Sequence, residues 1–535
     1  MNRNRPLYPV LLSILSGLLS AAAWPQWNVT ATLFFAFLPL LFLADTIRSV
    51  YRFFLYVYLA LFTWNLATTW WIWNSTLLGA WLAIVVNSLL MCLPWMGFRW
   101  IKKTSGQWAG YTSLVVFWLG FEYLHQLDWG LSWPWLTLGN AFAGRTEWVQ
   151  WYEYTGTSGG SLWVLLVNVL LYRSFFQASQ TQTGTKRNIF RTGLISLTLL
   201  LPILFSHLLL PFRQQEQIQD TQTTGNVVVV QPNIDPYEKV AAGTFSEQLN
   251  RLLLLSETAV DSNTTLLVWP ETALYDPGGF NEQELATYSS LNPVFDFLRR
   301  HPKLNLFTGI ESYRVFNEKV SLYARPVEGT GSYYEVYNGS VLFDSSGARQ
   351  FYHKSMLVPG VETLPRFLLF LGPVFEKFGG TTGGYARQAH RSPVPTGNHY
   401  KLAPAICYES IYGEYMSRYM ANGANLIAII TNDGWWGNTP GHHQHMAYAR
   451  LRAIETRRWV VRSANTGISC FIDPLGNVLQ AQPWWTEAAI KQQIPVTNGT
   501  TWYVRTGDLI SKLALVLAAG FLLLGLYRRF SKRLP

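Results

Sequence analysis

At 535 residues the chain is too long for one ordinary hydrophobic core, so at least two structural units are expected. Apolar residues make up 49% and charged residues 13%, about half the charged share usual in soluble domains, which argues against a wholly water-soluble chain. The net charge of +10 does not mark a nucleic-acid face. Fifteen basic residues, grouped at Arg3 and Arg5, Arg48 and Arg52, Arg99 to Lys103, Arg173 to Arg191 and Arg528 to Arg533, flank apolar runs and exceed that charge by themselves. The 24 tryptophans fit a membrane–water interface.

In chain order, the apolar stretches long enough to span a bilayer, about 20 residues each, lie near 7–23, 29–46, 52–73, 77–101, 107–127, 158–178, 190–212 and 507–527. The first has the look of a signal peptide, with Arg3 and Arg5 before it and Ala21-Ala22-Ala23 resembling a cleavage site. Further spans follow at once, so a retained first helix is expected. Basic residues stay on the cytoplasmic side, and loops 24–28, 74–76 and 128–157 hold almost none. Eight spans then place both termini inside. The expected organisation is a transmembrane bundle over 1–212, an extracytoplasmic domain over 213–506, and a last span with a basic tail over 507–535.

Residues 213–225 are Gln- and Thr-rich and predict a linker. From Asn226, short β-branched and aromatic runs recur at 226–231, 266–270, 305–310, 333–343, 349–353, 400–407, 425–431 and 459–472. Helical patterns at 243–260, 284–300 and 440–457 alternate with them, which predicts a layered α/β or α+β domain. The Gly-rich stretch 366–398 has little periodicity and reads as a mobile loop or lid.

Three polar residues close predicted strands: Glu271, Lys354 and Cys407. Strand ends in layered α/β folds often deliver side chains to one cleft. A thiol is mostly protonated at neutral pH and needs a base before it acts as a nucleophile. A carboxylate can take that proton and return it to the leaving group, and a lysine ammonium can stabilise the oxyanion between. Taken singly, each has a bland alternative: a buried cysteine, a solvated lysine, a helix-capping glutamate. Only Cys92, Cys407 and Cys470 are present, with no disulfide framework and no zinc spacing.

The segments Leu267-Val268-Trp269-Pro270-Glu271, His353-Lys354 through Glu362 and Ile406-Cys407-Tyr408-Glu409-Ser410 together resemble the motif set of the nitrilase superfamily. The specific resemblance is to its membrane branch, the apolipoprotein N-acyltransferases. Residues 432–437, 462–469, Glu122 with 130–140, and 505–508 are similar to that family as well. The resemblance implies an α-β-β-α sandwich on a membrane bundle, in the inner membrane of a bacterium with the catalytic domain periplasmic. It implies acyl transfer from a phospholipid to the N-terminal amine of a diacylglyceryl-cysteine, by a monomer without cofactor or metal. Cys407 then corresponds to the nucleophile, Glu271 to the general base and Lys354 to the oxyanion-stabilising lysine. Glu362 corresponds to a supporting glutamate that orients Lys354, and Tyr408 and Glu409 to the pair after the nucleophile. One departure is local: Gly360-Val361 precede Glu362 where the family usually has Phe-Gly, with the spacing to Lys354 kept.

Aromatic and apolar loops around Trp269, Trp435, Trp436 and 367–371 either dip toward the bilayer or pack the core. His442, His443 and His445 have no acidic or cysteine partner at metal-ligand spacing and read as structural. Glu122, inside a span, is a functional group or a polar anchor. Asn338-Gly339-Ser340 and Asn498-Gly499-Thr500 formally match glycosylation acceptors. The main competing function is a membrane-tethered amidase or nitrilase-type hydrolase using the same three residues; a transporter or receptor would need more ionisable groups within the spans.

Overall fold

The computed structural model describes residues 7–177, 185–219, 224–237, 245–363 and 384–531. The chain divides into two compact units. One holds Met1–Trp73, Leu77–Pro211 and Thr506–Pro535; the other holds Asn74–Thr76 and Phe212–Arg505.

The first unit is helical, the structure that satisfies every backbone group without water. Its helices are α1 (Leu7–Ala22), α2 (Leu38–Thr46), α3 (Val50–Thr69), α4 (Leu77–Trp81), α5 (Asn87–Ser105), α6 (Gln107–Gln126), α7 (Tyr152–Tyr172) and α8 (Thr185–Gln219), with a final helix at Leu509–Ser531. Among the described residues, five helical segments are long and apolar enough to cross a membrane: Val50–Asn74, Gly79–Ser105, Tyr152–Phe176, Ile189–Gln215 and Leu509–Ser531. Leu7–Ala22 and Thr30–Thr46 are apolar but shorter. The tryptophans of this unit divide between interior and surface, with Trp27, Trp70, Trp73, Trp81, Trp108 and Trp129 exposed. Trp24, Trp64, Trp71, Trp95, Trp118 and Trp135 are fully buried, and Phe37 packs on Trp95 and Trp118 with ring centroids 5.4 and 5.1 Å away. Glu122 on α6 accepts hydrogen bonds from Trp118 Nε1 at 2.9 Å and Leu138 N–H at 2.8 Å. It thereby anchors the segment after α6 to that helix. The expected linker is also revised, because α8 continues through Gln219. Gln, Glu and Arg are good helix formers, so polarity there does not end the helix.

The second unit contains two sheets. Its strands are β1 (Thr224–Gln231), β2 (Thr264–Val268), β3 (Phe280–Asn281), β4 (Asn305–Phe316), β5 (Arg325–Pro326), β6 (Tyr333–Asp344), β7 (Gly347–His353), β8 (Val394–Pro395), β9 (Lys401–Ile406), β10 (Leu426–Thr431), β11 (Val460–Ala464), β12 (Cys470–Ile472), β13 (Val478–Leu479) and β14 (Ala488–Pro495). One sheet has the order β14-β1-β2-β4-β6-β5, with β3 on β4 and β7 on β6; the other has the order β13-β12-β11-β10-β9-β8. β1, β2 and β4 run parallel, as do β9, β10 and β11. Every residue of β10 and β11 is buried, as expected for parallel strands covered on both faces.

Helices α9 (Phe245–Ala259) and α10 (Asn292–Arg300) cover the first sheet, with Leu249, Leu252 and Phe297 packed on Val228, Val230 and Leu267. Helices α11 (Gly413–Ala421) and α12 (Pro440–Thr456) pack against the second. The sheets meet where Ser463 Oγ on β11 donates to the Val230 carbonyl of β1 at 2.8 Å. The layering is the α-β-β-α sandwich. The expected run 459–472 is two strands joined by a turn, and of 284–300 only the part from Asn292, with Pro293 in its first turn, is α-helix. Residues 364–383, most of the expected lid and including 367–371, lie outside the described residues.

Candidate active site

The ends of β2 and β7 in one sheet, and of β9 and β10 in the other, converge on a buried polar cluster. Glu271 follows β2 by three residues. Gly309 on β4 lets the Glu271 backbone approach closely, since a Cβ there would lie 2.7 Å from Glu271 Cα and 2.4 Å from the Thr272 nitrogen. Lys354 follows β7 directly and is 1% exposed. Its Nζ donates to Glu362 Oε1 at 2.8 Å and to Glu271 Oε1 at 3.3 Å. Asn338 Nδ2, from β6, donates to the same two oxygens at 2.9 Å each. The remaining oxygens are fixed by backbone: Asn432 N–H donates to Glu271 Oε2 at 3.1 Å, and Val358 N–H to Glu362 Oε2 at 2.8 Å.

Burial alone would lower the Lys354 pKa. The Glu271 and Glu362 carboxylates overcome it, with a smaller contribution from Cys407, and hold the ammonium well above its ordinary value. The lysine is therefore charged and cannot serve as a base at neutral pH.

Cys407 follows β9 with φ +52°, in the left-handed region that a cysteine seldom adopts. This turns the chain sharply from strand into the 3₁₀ turn Cys407–Ile411 and leaves the residue half-buried. Such a conformation costs about 1–3 kcal/mol and persists only where its surroundings enforce it. Burial pushes the Cys407 thiol up, Glu271 and Asp433 push it further, and Lys354 and a Thr431 hydrogen bond pull it back without prevailing. At rest the sulfur keeps its proton, close enough to Glu271 and Lys354 to respond to both.

Glu409 braces this arrangement. It is fully buried, and its Oε1 accepts from Ser355 N–H at 2.6 Å, Tyr352 Oη at 2.7 Å, Tyr415 Oη at 2.8 Å and Met356 N–H at 3.2 Å. Its Oε2 accepts from Ile406 N–H at 2.8 Å. One carboxyl thus joins the two residues after Lys354 and the Tyr352 side chain to the residue before Cys407. Burial raises the Glu409 pKa against the opposing pull of these donors. Tyr408 is buried edge-on against Tyr412, with ring centroids 5.3 Å apart.

Several expectations change here. Trp269 is fully buried and donates from Nε1 to Ser256 Oγ at 2.9 Å, so it packs the core. Trp435 is exposed, beside Tyr237. Asn338 is not an open glycosylation acceptor, because it is buried with its amide committed to two carboxylates. His445 does have an acidic partner, Asp433, at 3.0 Å. His442 instead stacks on Trp484 with centroids 4.4 Å apart, and burial pushes its pKa down to about 4. Among the described residues no group of three His, Cys, Asp or Glu side chains could hold a metal ion. Nothing in the sequence marks Asn338, Tyr352 and Tyr415 as site residues, since strand and helix periodicity says nothing of which polar groups meet across elements.

The chain matches two family descriptions: Carbon-nitrogen hydrolase over residues 226–503, and Apolipoprotein N-acyltransferase N-terminal domain over residues 16–170. It is 30% identical to a Chlorobaculum tepidum protein named apolipoprotein N-acyltransferase, over 97% of each chain. A protein of the same name from Shewanella oneidensis is 28% identical, over 85% of this chain and 81% of that one. Among solved structures, yeast Nit3, of branch 10 of the nitrilase superfamily, aligns at a TM-score of 0.36 and 16% identity, covering 52% of this chain and 92% of its own. The first match falls on the two-sheet unit and the second on the helical one, and a relative matches nearly end to end: the chain belongs to the apolipoprotein N-acyltransferase family.

Proposed function

We propose that this protein transfers an acyl chain from a phospholipid to the N-terminal amine of diacylglyceryl-cysteine on lipoproteins, through a thioester on Cys407. The observation that carries the reading is Lys354 Nζ held between Glu362 at 2.8 Å and Glu271 at 3.3 Å, beside a thiol that its surroundings keep protonated. Glu362 is the closer partner of the lysine and serves as its anchor. Glu271 lies farther from the ammonium and is the carboxylate that acts on the Cys407 thiol, which suits it to be the base.

Glu271 takes the thiol proton as the sulfur attacks the ester carbonyl of the phospholipid. The Lys354 ammonium stabilises the resulting oxyanion. The carbon–oxygen bond then breaks, and Glu271 returns its proton to the departing lysophospholipid hydroxyl. In the second half, the amine attacks the thioester and Glu271 removes its extra proton. The carbon–sulfur bond breaks, and the thiol is restored as the amide leaves. Glu409 and Tyr408 are supporting residues, with Glu409 holding the two reactive loops in register.

Five helical segments are long and apolar enough to span, and in this reading the apolar stretches 7–23, 29–46 and 107–127 complete eight spans in a bacterial inner membrane. The basic clusters support cytoplasmic termini, with residues 213–506 on the periplasmic side. A single chain carries every group the mechanism uses, which supports a monomer.

The test incubates purified wild-type and Cys407→Ser protein with labelled phospholipid, then adds a diacylated lipopeptide with a free amine. A hydroxylamine-sensitive label on wild type alone, chased onto the peptide amine, is expected. Label released only to water would favour the hydrolase, and folded wild-type protein that takes no label would falsify the thioester mechanism.

A further inference from the structure

Behind the nucleophile lies a second buried polar network that the mechanism above does not use. His445, on α12, is buried, and its Nε2 lies 3.0 Å from the carbonyl oxygen of Cys407 and 2.9 Å from Ser410 Oγ. Ser410 Oγ donates to the same carbonyl at 2.8 Å. On its other side, His445 Nδ1 sits 3.0 Å from Asp433 Oδ1, just after β10. Arg462 Nη2, from β11, donates to Asp433 Oδ2 at 2.7 Å, and Thr431 Oγ1 donates to Asp433 Oδ1 at 2.9 Å. Burial would raise the Asp433 pKa, but Arg462 and then His445 hold it well below the ordinary carboxylate value. Gly467 makes room for this carboxylate, since a Cβ there would lie 2.6 Å from Asp433 Oδ2.

The residue before Asp433 gives the network its meaning. Asn432 N–H holds Glu271 Oε2 at 3.1 Å. Two adjacent residues at the end of β10 therefore reach both halves of the proton transfer. Asn432 fixes the base, and Asp433, through His445, fixes the peptide carrying the thiol.

We propose that His445 is a positioning residue for the reaction, clamping the left-handed Cys407 peptide in register with Glu271 through the shared Asn432–Asp433 link. The hydrogen on Nε2 is what the clamp requires, because the Cys407 carbonyl can only accept. Arg462 Nη2, itself held by Asp433, lies 3.0 Å from Nδ1 and donates to it, which leaves the ring proton on Nε2, facing the carbonyl. The thioester reading of the site is assumed, since the clamp has a role in the reaction only if Cys407 is acylated.

Two amides separate the halves of the link. In His445→Asn the shorter side chain keeps a polar group near Asp433 but does not reach the Cys407 carbonyl. In His445→Gln a side-chain nitrogen stands as many bonds from Cα as Nε2 does. Single-turnover thioester formation from labelled phospholipid is measured in wild type and both variants, with half-saturation and melting temperature recorded alongside. The asparagine variant is expected to form thioester on the order of 100-fold more slowly, the scale of a misplacement of about 1 Å. Its phospholipid half-saturation should stay as in wild type, and the glutamine variant should recover most of the rate. A wild-type rate in His445→Asn overturns the proposal. So do equal losses in both variants that track their melting temperatures, because the histidine would then be structural only. If the asparagine variant does not fold, Asp433→Asn reads the same link, and a wild-type rate there is equally fatal. Absence of thioester on folded wild type rejects the acyltransfer reading itself, a separate result.

Discussion

The backbone N–H of Ser355 donates to Glu409 Oε1 at 2.6 Å, so the residue after the lysine and the second residue after the cysteine are bound to one another. Removing that carboxyl takes the acceptor from the backbone N–H groups of Ser355, Met356 and Ile406 in a dry interior, while Tyr352 Oη and Tyr415 Oη keep one another as partners. Each orphaned buried donor costs about 1–3 kcal/mol, so Glu409→Ala should destabilise the protein by about 3 kcal/mol or more. Glu409→Gln, which keeps one acceptor oxygen, should fall between. Thermal melts of the three proteins check this, and a wild-type melt for the alanine variant would show that the brace carries no load.

At Glu271 two effects separate. The carboxylate raises the Cys407 pKa, so Glu271→Gln should shift the pH midpoint of iodoacetamide alkylation downward. Thioester formation should nevertheless fall by about 10²–10⁴-fold, because the proton acceptor is gone. If alkylation and acylation rise or fall together, Glu271 is not the base.

Lys354→Met should slow thioester formation by about 10²–10³-fold. Lys354→Arg should not restore it, since a planar guanidinium cannot take the place of a compact ammonium between two carboxylates. Quenched single-turnover labelling distinguishes the cases, and an active arginine variant would mean that charge alone suffices.

Acid stability should report on Asp433. Its carboxyl is lowered in the folded protein, so its contribution is complete above the unfolded value, about 3.9, and drains away as pH falls toward the folded one. Wild-type melting temperature should decline as pH drops below about 4, and more steeply than that of Asp433→Asn. Parallel curves would place the acid sensitivity elsewhere.

Glu271, Lys354 and Cys407 each end a short β-rich run, which made one cleft plausible, and the resemblance of their three segments to one motif set singled them out together. Glu362 could be read only through the resemblance to the family's motif set. The apolar stretches, too, became helices close to where hydropathy put them. What stayed hidden depends on meetings across elements: Asn338 with two carboxylates, Tyr352 and Tyr415 on Glu409, and Asp433 with His445 and Arg462. Strand β14 and helix α11 were missed because mixed polar and apolar residues blur their periods. The tryptophans divide between a tight aromatic core and exposed positions, since indole suits both settings.

The φ of +52° at Cys407 has a consequence for how this position drifts under selection. Glycine and asparagine are at ease in left-handed backbone, whereas cysteine is not. A library screened only for expression or heat resistance should therefore enrich glycine or asparagine at 407 and discard sulfur. Enrichment of that kind would mark the thiol as something the fold resists and the chemistry retains. Stability-driven engineering of this protein would then need an activity gate at that one codon.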